Sequence, residues 1–379
     1  MKRIAIILGT RPEAIKLIPV YLALKTSTRL EPVLISTGQH KTMLDQVFSL
    51  FNIEPDVELG VMMVNQTLSG LTSRLFDEIG NLFDRQHFDA VLVQGDTTTT
   101  MVASICGFYH QKKVIHVEAG LRTYEKFSPF PEEINRRIVG LSADVHFAPT
   151  QVAKKALLKE QVENVYFVGN TVIDSLLLIK DKVLANKSRY ERKFRNLRKD
   201  KLILVTGHRR ESFGKGFENI CLAIQSLAEK YPEIYFVYPV HLNPNVKEPV
   251  TQVLGSNRNV SLLDPLPYDE MIYLMMESYL VMTDSGGIQE EAPALDKPVI
   301  VMREKTERPE GVEAGCAVLS GSGTQSIITC FDHIYLDTQV YETMSAAKNP
   351  YGDGTSSQSI KSVLEDVFEG KSINSQIEL

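Results

Sequence analysis

Short runs of apolar residues that do not alternate with polar ones constrain this chain more than any other feature. Ile4 to Leu8, Val33 to Ser36, Ala90 to Val93, Val114 to Val117, Val145 to Ala148 and Val165 to Val168 each read as a strand, with helix-like segments between them. A strand without a polar face has to be covered on both sides, as in a parallel sheet wrapped by its own crossover helices. After Gly169-Asn170 and a basic stretch from Lys187 to Lys201, the pattern restarts at Leu202 to Thr206, Ile234 to Tyr238, Val260 to Leu263, Tyr279 to Met282 and Val299 to Met302. The expectation is an α/β chain of two doubly wound, Rossmann-like domains, 1–169 and 170–357, with a cleft between them at the carboxyl ends of both sheets. A length of 379 residues suffices for two cores.

Within that frame the strand ends carry the chemistry. Thr283-Asp284-Ser285-Gly286-Gly287-Ile288-Gln289-Glu290-Glu291 reads as a strand ending in a Ser-Gly-Gly turn that opens a helix. Unpaired amides at a helix start favour an anion such as phosphate, and glycines let it approach the backbone. Glu291 falls four residues after Gly287, on the same helix face, where a carboxylate can accept from ribose hydroxyls. The plainer alternative is a turn capped by Ser285 with a solvated glutamate pair.

Near the start, Gly9-Thr10-Arg11-Pro12-Glu13 has capping-box spacing with proline in the first helical turn. Arg11 and Lys16 then lie near a helix N-terminus, where cations are unfavourable unless an anion meets them or they turn to water. Asp96 follows the strand Ala90 to Gln94, as either an N-cap or a catalytic group. Glu118 ends the strand Val114 to Val117, at the carboxyl edge where sites collect. Glu132 and Glu133 open a helix containing Arg136 and Arg137.

In the second half, Thr206-Gly207-His208-Arg209-Arg210 follows a strand and can grip a pyrophosphate, although it is not a Walker A loop. His241 ends the next strand in the same way. The cations of Arg189 to Arg195, mixed with Glu191 and apolar residues, read as a solvated helix.

Composition excludes other classes. A net charge of -6 and a pI near 5.8 argue against nucleic acid as the main partner. Four scattered cysteines without a CxxC indicate neither a disulfide framework nor a zinc knuckle, so a reduced, cytoplasmic protein is expected. The apolar run after Met1-Lys2-Arg3 is too short for a signal peptide, and none approaches the roughly 20 residues that span a bilayer. No Asp-x-Asp pair or histidine ligand spacing suggests a metal, and Gly321-Ser322-Gly323-Thr324-Gln325-Ser326 lacks the third glycine of a dinucleotide fingerprint, so no cofactor is expected.

Taken together, Leu8-Gly9-Thr10-Arg11-Pro12-Glu13-Ala14-Ile15-Lys16, Gln94-Gly95-Asp96-Thr97, His116-Val117-Glu118-Ala119-Gly120-Leu121-Arg122, Pro131-Glu132-Glu133-Ile134-Asn135-Arg136, Thr206-Gly207-His208-Arg209-Arg210-Glu211, Asp284 to Glu291, Thr306-Glu307-Arg308-Pro309-Glu310 and Asn349-Pro350-Tyr351-Gly352-Asp353-Gly354 resemble, in order, the bacterial non-hydrolysing UDP-N-acetylglucosamine 2-epimerases. The resemblance implies a glycosyltransferase-B-like fold with the active site between the domains, a C-terminal helix (358–379) crossing back onto the first domain, and a homodimer. It implies interconversion of UDP-GlcNAc and UDP-ManNAc with no metal or NAD, supplying ManNAc for surface polysaccharide. By position, Arg11, Lys16, Asp96, Glu118, His208, Ser285, Gly286, Gly287, Glu291 and Arg308 look like substrate contacts, with Asp96, Glu118, Glu132 and His208 the catalytic candidates. Gln39, Arg209 and His241 match positions that hold a second UDP-GlcNAc in activated members, whereas Thr42 and Asn65 replace its glutamine and arginine. Met271 stands near the expected uracil site, where relatives often have phenylalanine. A hydrolysing 2-epimerase, a metal-independent transferase of the same fold and a nucleotide-sugar sensor are the alternatives.

Overall fold

Every one of those apolar runs forms a strand. In a computed structural model that describes residues 1–39, 41–63, 66–197, 201–207, 209 and 214–371, the chain divides into two units, Met1–Ser175 with Tyr351–Leu379, and Leu176–Pro350. The first unit holds β1 (Lys2–Leu8), β2 (Leu30–Ser36), β3 (Val57–Glu58), β4 (Ala90–Gln94), β5 (Lys113–Val117), β6 (Val145–Ala148) and β7 (Val165–Phe167). Their order is β3-β2-β1-β4-β5-β6-β7, parallel throughout. Ile4 to Leu8 are fully buried, which is why this strand carries no polar alternation.

The second unit holds β8 (Leu202–Thr206), β9 (Tyr235–Pro239), β10 (Val260–Leu263), β11 (Leu280–Thr283), β12 (Val299–Val301) and β13 (Ala317–Leu319). Their order is β10-β9-β8-β11-β12-β13, again all parallel. Both sheets therefore reverse direction of growth between their first and fourth strands, at β1/β4 and at β8/β11. The loops leaving those strands diverge to opposite faces of the sheet, and the crevice they leave is the ligand position of a doubly wound fold.

The sequence puts the domain boundaries at 169/170 and 357/358. In the structure the first turn of the helix Thr171–Ala185 stays with the first unit. Asp174 Oδ1 accepts from Ser357 N at 2.8 Å and Ser357 Oγ at 2.6 Å, and Ser175 Oγ donates to the Ile15 carbonyl. The helix Ser356–Glu369 buries Ile360, Val363 and Leu364 and packs on the helix Arg11–Lys25. Ion pairing of Arg29 with Glu369 at 2.5 Å adds to that seam.

The cations Lys187, Arg189, Arg192 and Lys193 are exposed on a helix, as expected. The helix Lys187–Lys193 is more than a solvated face: Tyr190 and Phe194, four residues apart, stack on Tyr273 at 5.3 and 5.6 Å, and Lys193 reaches Glu270 at 2.5 Å. Among the described residues, no helix is long and apolar enough to cross a membrane.

Candidate active site

The first unit builds its site on the loops after β1, β4 and β5. Thr10 and Glu13 form the expected capping box, and Glu13 extends it. One oxygen of Glu13 accepts from the N–H groups of Gly9 and Thr10 at 2.9 and 2.7 Å, and the other from the hydroxyls of Thr97 and Thr100 at 2.6 and 3.0 Å. Burial pushes this carboxyl up, with the hydrogen bonds opposing it. Gly9 admits no side chain, because a Cβ would sit 2.5 Å from Thr37 Oγ1 and 2.6 Å from Thr99 Oγ1. Arg11, the first residue of the helix, is exposed.

Lys16, half-buried one turn further on, places Nζ 2.5 Å from Glu118 Oε1, and Gln94 Nε2 donates to the other Glu118 oxygen. Glu118 is 7% exposed and has a φ of 61°, a left-handed conformation that costs a non-glycine residue about 1–3 kcal/mol. The strain thus falls at a strand end, on a buried carboxylate with a lysine partner.

Asp96 is not the helix cap. Thr97 takes that place, its Oγ1 accepting from Thr100 N at 3.1 Å, which leaves the Asp96 carboxylate to the Arg136 guanidinium. Arg136 Nε lies 3.0 Å from Asp96 Oδ2, Arg136 Nη2 also donates to that oxygen, and Asn135 Nδ2 donates to the Asp96 carbonyl at 2.9 Å. Glu133, fully buried, accepts from Thr123 N and Tyr124 N at 3.0 and 3.1 Å and pairs with Arg136 at 3.3 Å. Glu132, one residue earlier, is half-buried and makes none of these bonds. The first-turn glutamates thus differ: Glu133 holds the loop, and Glu132 takes no part in those bonds.

In the second unit, buried Asp284 accepts the Arg209 N–H at 2.8 Å, tying the β8 loop to the β11 loop. Ser285 occupies the N-cap position without a side-chain cap, and the helix Gly286–Glu291 is only six residues long before a 3-10 turn, Ala292–Leu295. Its macrodipole is correspondingly weak, so any anion binding here falls to the local amides and nearby cations. Those cations are present. A Cβ on Gly286 would lie 3.1 Å from Arg308 Cζ and 3.3 Å from Arg209 Nη2, so both guanidinium groups close over this turn. Gly287 has nothing within 4 Å of the same position.

Carboxylates the sequence left unassigned hold the arginines. Arg308 Nε lies 2.8 Å from Glu290, and Glu307 is 3.2 Å from Arg308, 3.4 Å from Arg303 and 4.0 Å from Arg209. Burial pushes the Glu307 carboxyl up, but the Arg303 hydrogen bond and the Arg308 and Arg209 charges outweigh it and hold it low. Glu291 accepts from Tyr268 Oη at 2.7 Å, and burial together with that carboxylate pushes the Tyr268 hydroxyl well above its ordinary value. Met271 is half-buried on the same helix, Tyr268–Glu277. His241 is exposed past β9 with Nδ1 accepting from Asn243 N at 3.1 Å. His208, Arg210 and Asn65 lie outside the described residues. Among the described residues, no three His, Cys, Asp or Glu side chains are grouped to hold a metal ion.

A family model described as UDP-N-acetylglucosamine 2-epimerase matches residues 22–365. A UDP-N-acetylglucosamine 2-epimerase of Yersinia pestis is 47% identical over 370 residues, covering 96% of this chain and 98% of that protein. The structure of the UDP-GlcNAc 2-epimerase of Neisseria meningitidis, bound to UDP-GlcNAc, has a TM-score of 0.91 at 45% identity, covering 97% of this chain and 100% of that one. An S. aureus protein solved with UDP has a TM-score of 0.88 at 42% identity, covering 97% of each chain. The paired parallel sheets are of the glycosyltransferase-B type that these neighbours share. With a family match across both units and nearly half its residues identical to a relative's over almost the full length, the chain belongs to the UDP-N-acetylglucosamine 2-epimerase family.

Proposed function

We propose that this protein interconverts UDP-GlcNAc and UDP-ManNAc by eliminating UDP and adding it back, without releasing free sugar. What carries the reading is Glu118, a buried carboxylate in a strained backbone conformation with Lys16 and Gln94 on its two oxygens, set one strand away from Asp96. The proton on carbon two has no adjacent carbonyl to acidify it. Cleavage of the bond between carbon one and the UDP oxygen, with UDP keeping the electron pair, gives carbon one oxocarbenium character. A carboxylate can then take the neighbouring proton, leaving a double bond between carbons one and two. Returning a proton to the opposite face and re-adding UDP completes the inversion. Two carboxylates are the smallest set that serves both faces, and Asp96 and Glu118 supply them.

Arg209, Arg308 and the amides of Ser285 to Gly287 stabilise the departing pyrophosphate, Glu291 binds the ribose, and Met271 lies toward the uracil. Arg11 and Lys16 add positive charge, Glu132 and His208 complete the proton-transfer set, and His241 belongs to the nucleotide-binding group. The protein acts as a cytoplasmic homodimer with neither metal nor nicotinamide cofactor, and its product feeds surface polysaccharide. Proton NMR of the purified protein with UDP-GlcNAc in deuterium oxide tests this, with no metal, NAD or acceptor added. UDP-ManNAc carrying deuterium at carbon two is the expected product. Free ManNAc would make it a hydrolysing enzyme, and unchanged substrate would overturn the assignment.

A further inference from the structure

His116 is a buried imidazole that the proton-transfer scheme above does not use. It is 1% exposed, and its Nε2 lies 2.8 Å from the Gly95 carbonyl. A carbonyl only accepts, so Nε2 carries the hydrogen and the ring is fixed in one tautomer. Gly95 is the residue before Asp96. It has a φ of 71°, and its own N–H donates to the Val117 carbonyl at 3.0 Å. The turn between β4 and Asp96 is therefore fastened to β5 at both polar atoms of Gly95, once by backbone and once by this ring. The same glycine borders the other carboxylate, since a Cβ there would lie 3.6 Å from Glu118 Oε2.

We propose that His116 is a positioning residue for the reaction: by holding the Gly95 carbonyl it sets where the Asp96 carboxylate stands relative to Glu118. Burial next to His146, Arg122 and Arg136 keeps the ring neutral, with its pKa pushed down to about 3, so the donor is constant across the working pH range. This role rests on the epimerase reading, and it concerns the chemical step rather than UDP binding. A shift of about 1 Å in a reacting group costs on the order of 100-fold in rate.

The test compares three variants by KM, kcat and UDP affinity. His116→Phe keeps a planar aromatic ring, somewhat larger, and removes the donor; His116→Asn sets an amide at the Nδ1 position, too short to reach Gly95. Both are expected to lower kcat about 10–100-fold with KM and UDP binding within about twofold of wild type. His116→Gln sets its amide nitrogen where Nε2 was and is expected to restore kcat to within about fivefold. If the phenylalanine variant does not fold, the asparagine and glutamine pair decides. Wild-type kcat in the asparagine variant, or an equal loss in asparagine and glutamine, overturns the role of His116 while the epimerase assignment stands. A wild-type protein that leaves UDP-GlcNAc unchanged overturns both.

Discussion

Glu118 holds a backbone conformation, φ 61°, that local preference does not choose for a glutamate. Any residue there must accept a left-handed backbone, so glycine or asparagine would be less strained. In the proposed mechanism the carboxylate at that strand end takes part in proton transfer, which neither glycine nor asparagine supplies. Glu118→Gln and Asp96→Asn preserve shape and remove a base, so both are expected to bind UDP within about threefold of wild type by calorimetry while epimerisation falls about 100–10,000-fold. Unchanged turnover in both would sink the acid-base assignment. At this scale the sequence is informative about positions and silent about partners. Asp96 and Glu118 announce themselves as carboxylates at the ends of apolar strands. Arg136, 40 residues after Asp96, and Gln94, 24 before Glu118, come into contact with them only through the sheet order. Whether Asp96 caps a helix is settled by Thr97, which occupies the cap itself.

The helix Gly286–Glu291 shows what a short element can and cannot do. Six residues give little macrodipole, yet two guanidinium groups lie close over Gly286 while Gly287 faces open space. The two glycines therefore separate stability from binding. Alanine at 287 meets no protein atom and favours the helix over glycine by about 0.5–1 kcal/mol, so the melting temperature should hold or rise. If phosphate approaches these amides, the added methyl should weaken UDP binding by at least about 10-fold, since a 1.4 kcal/mol clash is already tenfold. Undiminished affinity in Gly287→Ala would place the phosphates elsewhere. Elements of this length are also where sequence reading stops. The edge strand β3, two residues long, is too short for any pattern, and the helix Lys187–Lys193 conceals its packed face because Tyr190 and Phe194 are outnumbered by cations. The long, wholly apolar central strands leave no such ambiguity, because burial on both faces is itself the pattern.

For the whole molecule, the same doubly wound order built twice leaves polar groups sealed between layers, and their protons set how the fold answers to acid. Burial pushes His116 down to about 3 and His146 to about 4, whereas an unfolded chain protonates both near 6.5. The sign follows from that order. A depressed pKa means that the unfolded state gains protons first as pH falls, so stability is full above 6.5 and drains until the folded value is reached. Glu13 and Asp174 act oppositely, since burial raises both: each contributes stability at low pH that is lost as pH rises through the folded value. A difference measurement follows this ring together with its coupling to His116, because the other titrating groups are common to both proteins. In His146→Gln an amide nitrogen can keep the donation that Nε2 makes to the Ala143 carbonyl, 3.1 Å away, without a titrating group. The variant should match wild type in urea unfolding at pH 7 and gain on it by about 1.4 kcal/mol for each pH unit between 6 and 4. Parallel stability curves would mean that the buried ring takes its proton in place, and that the neighbouring Asp144, rather than burial, governs it.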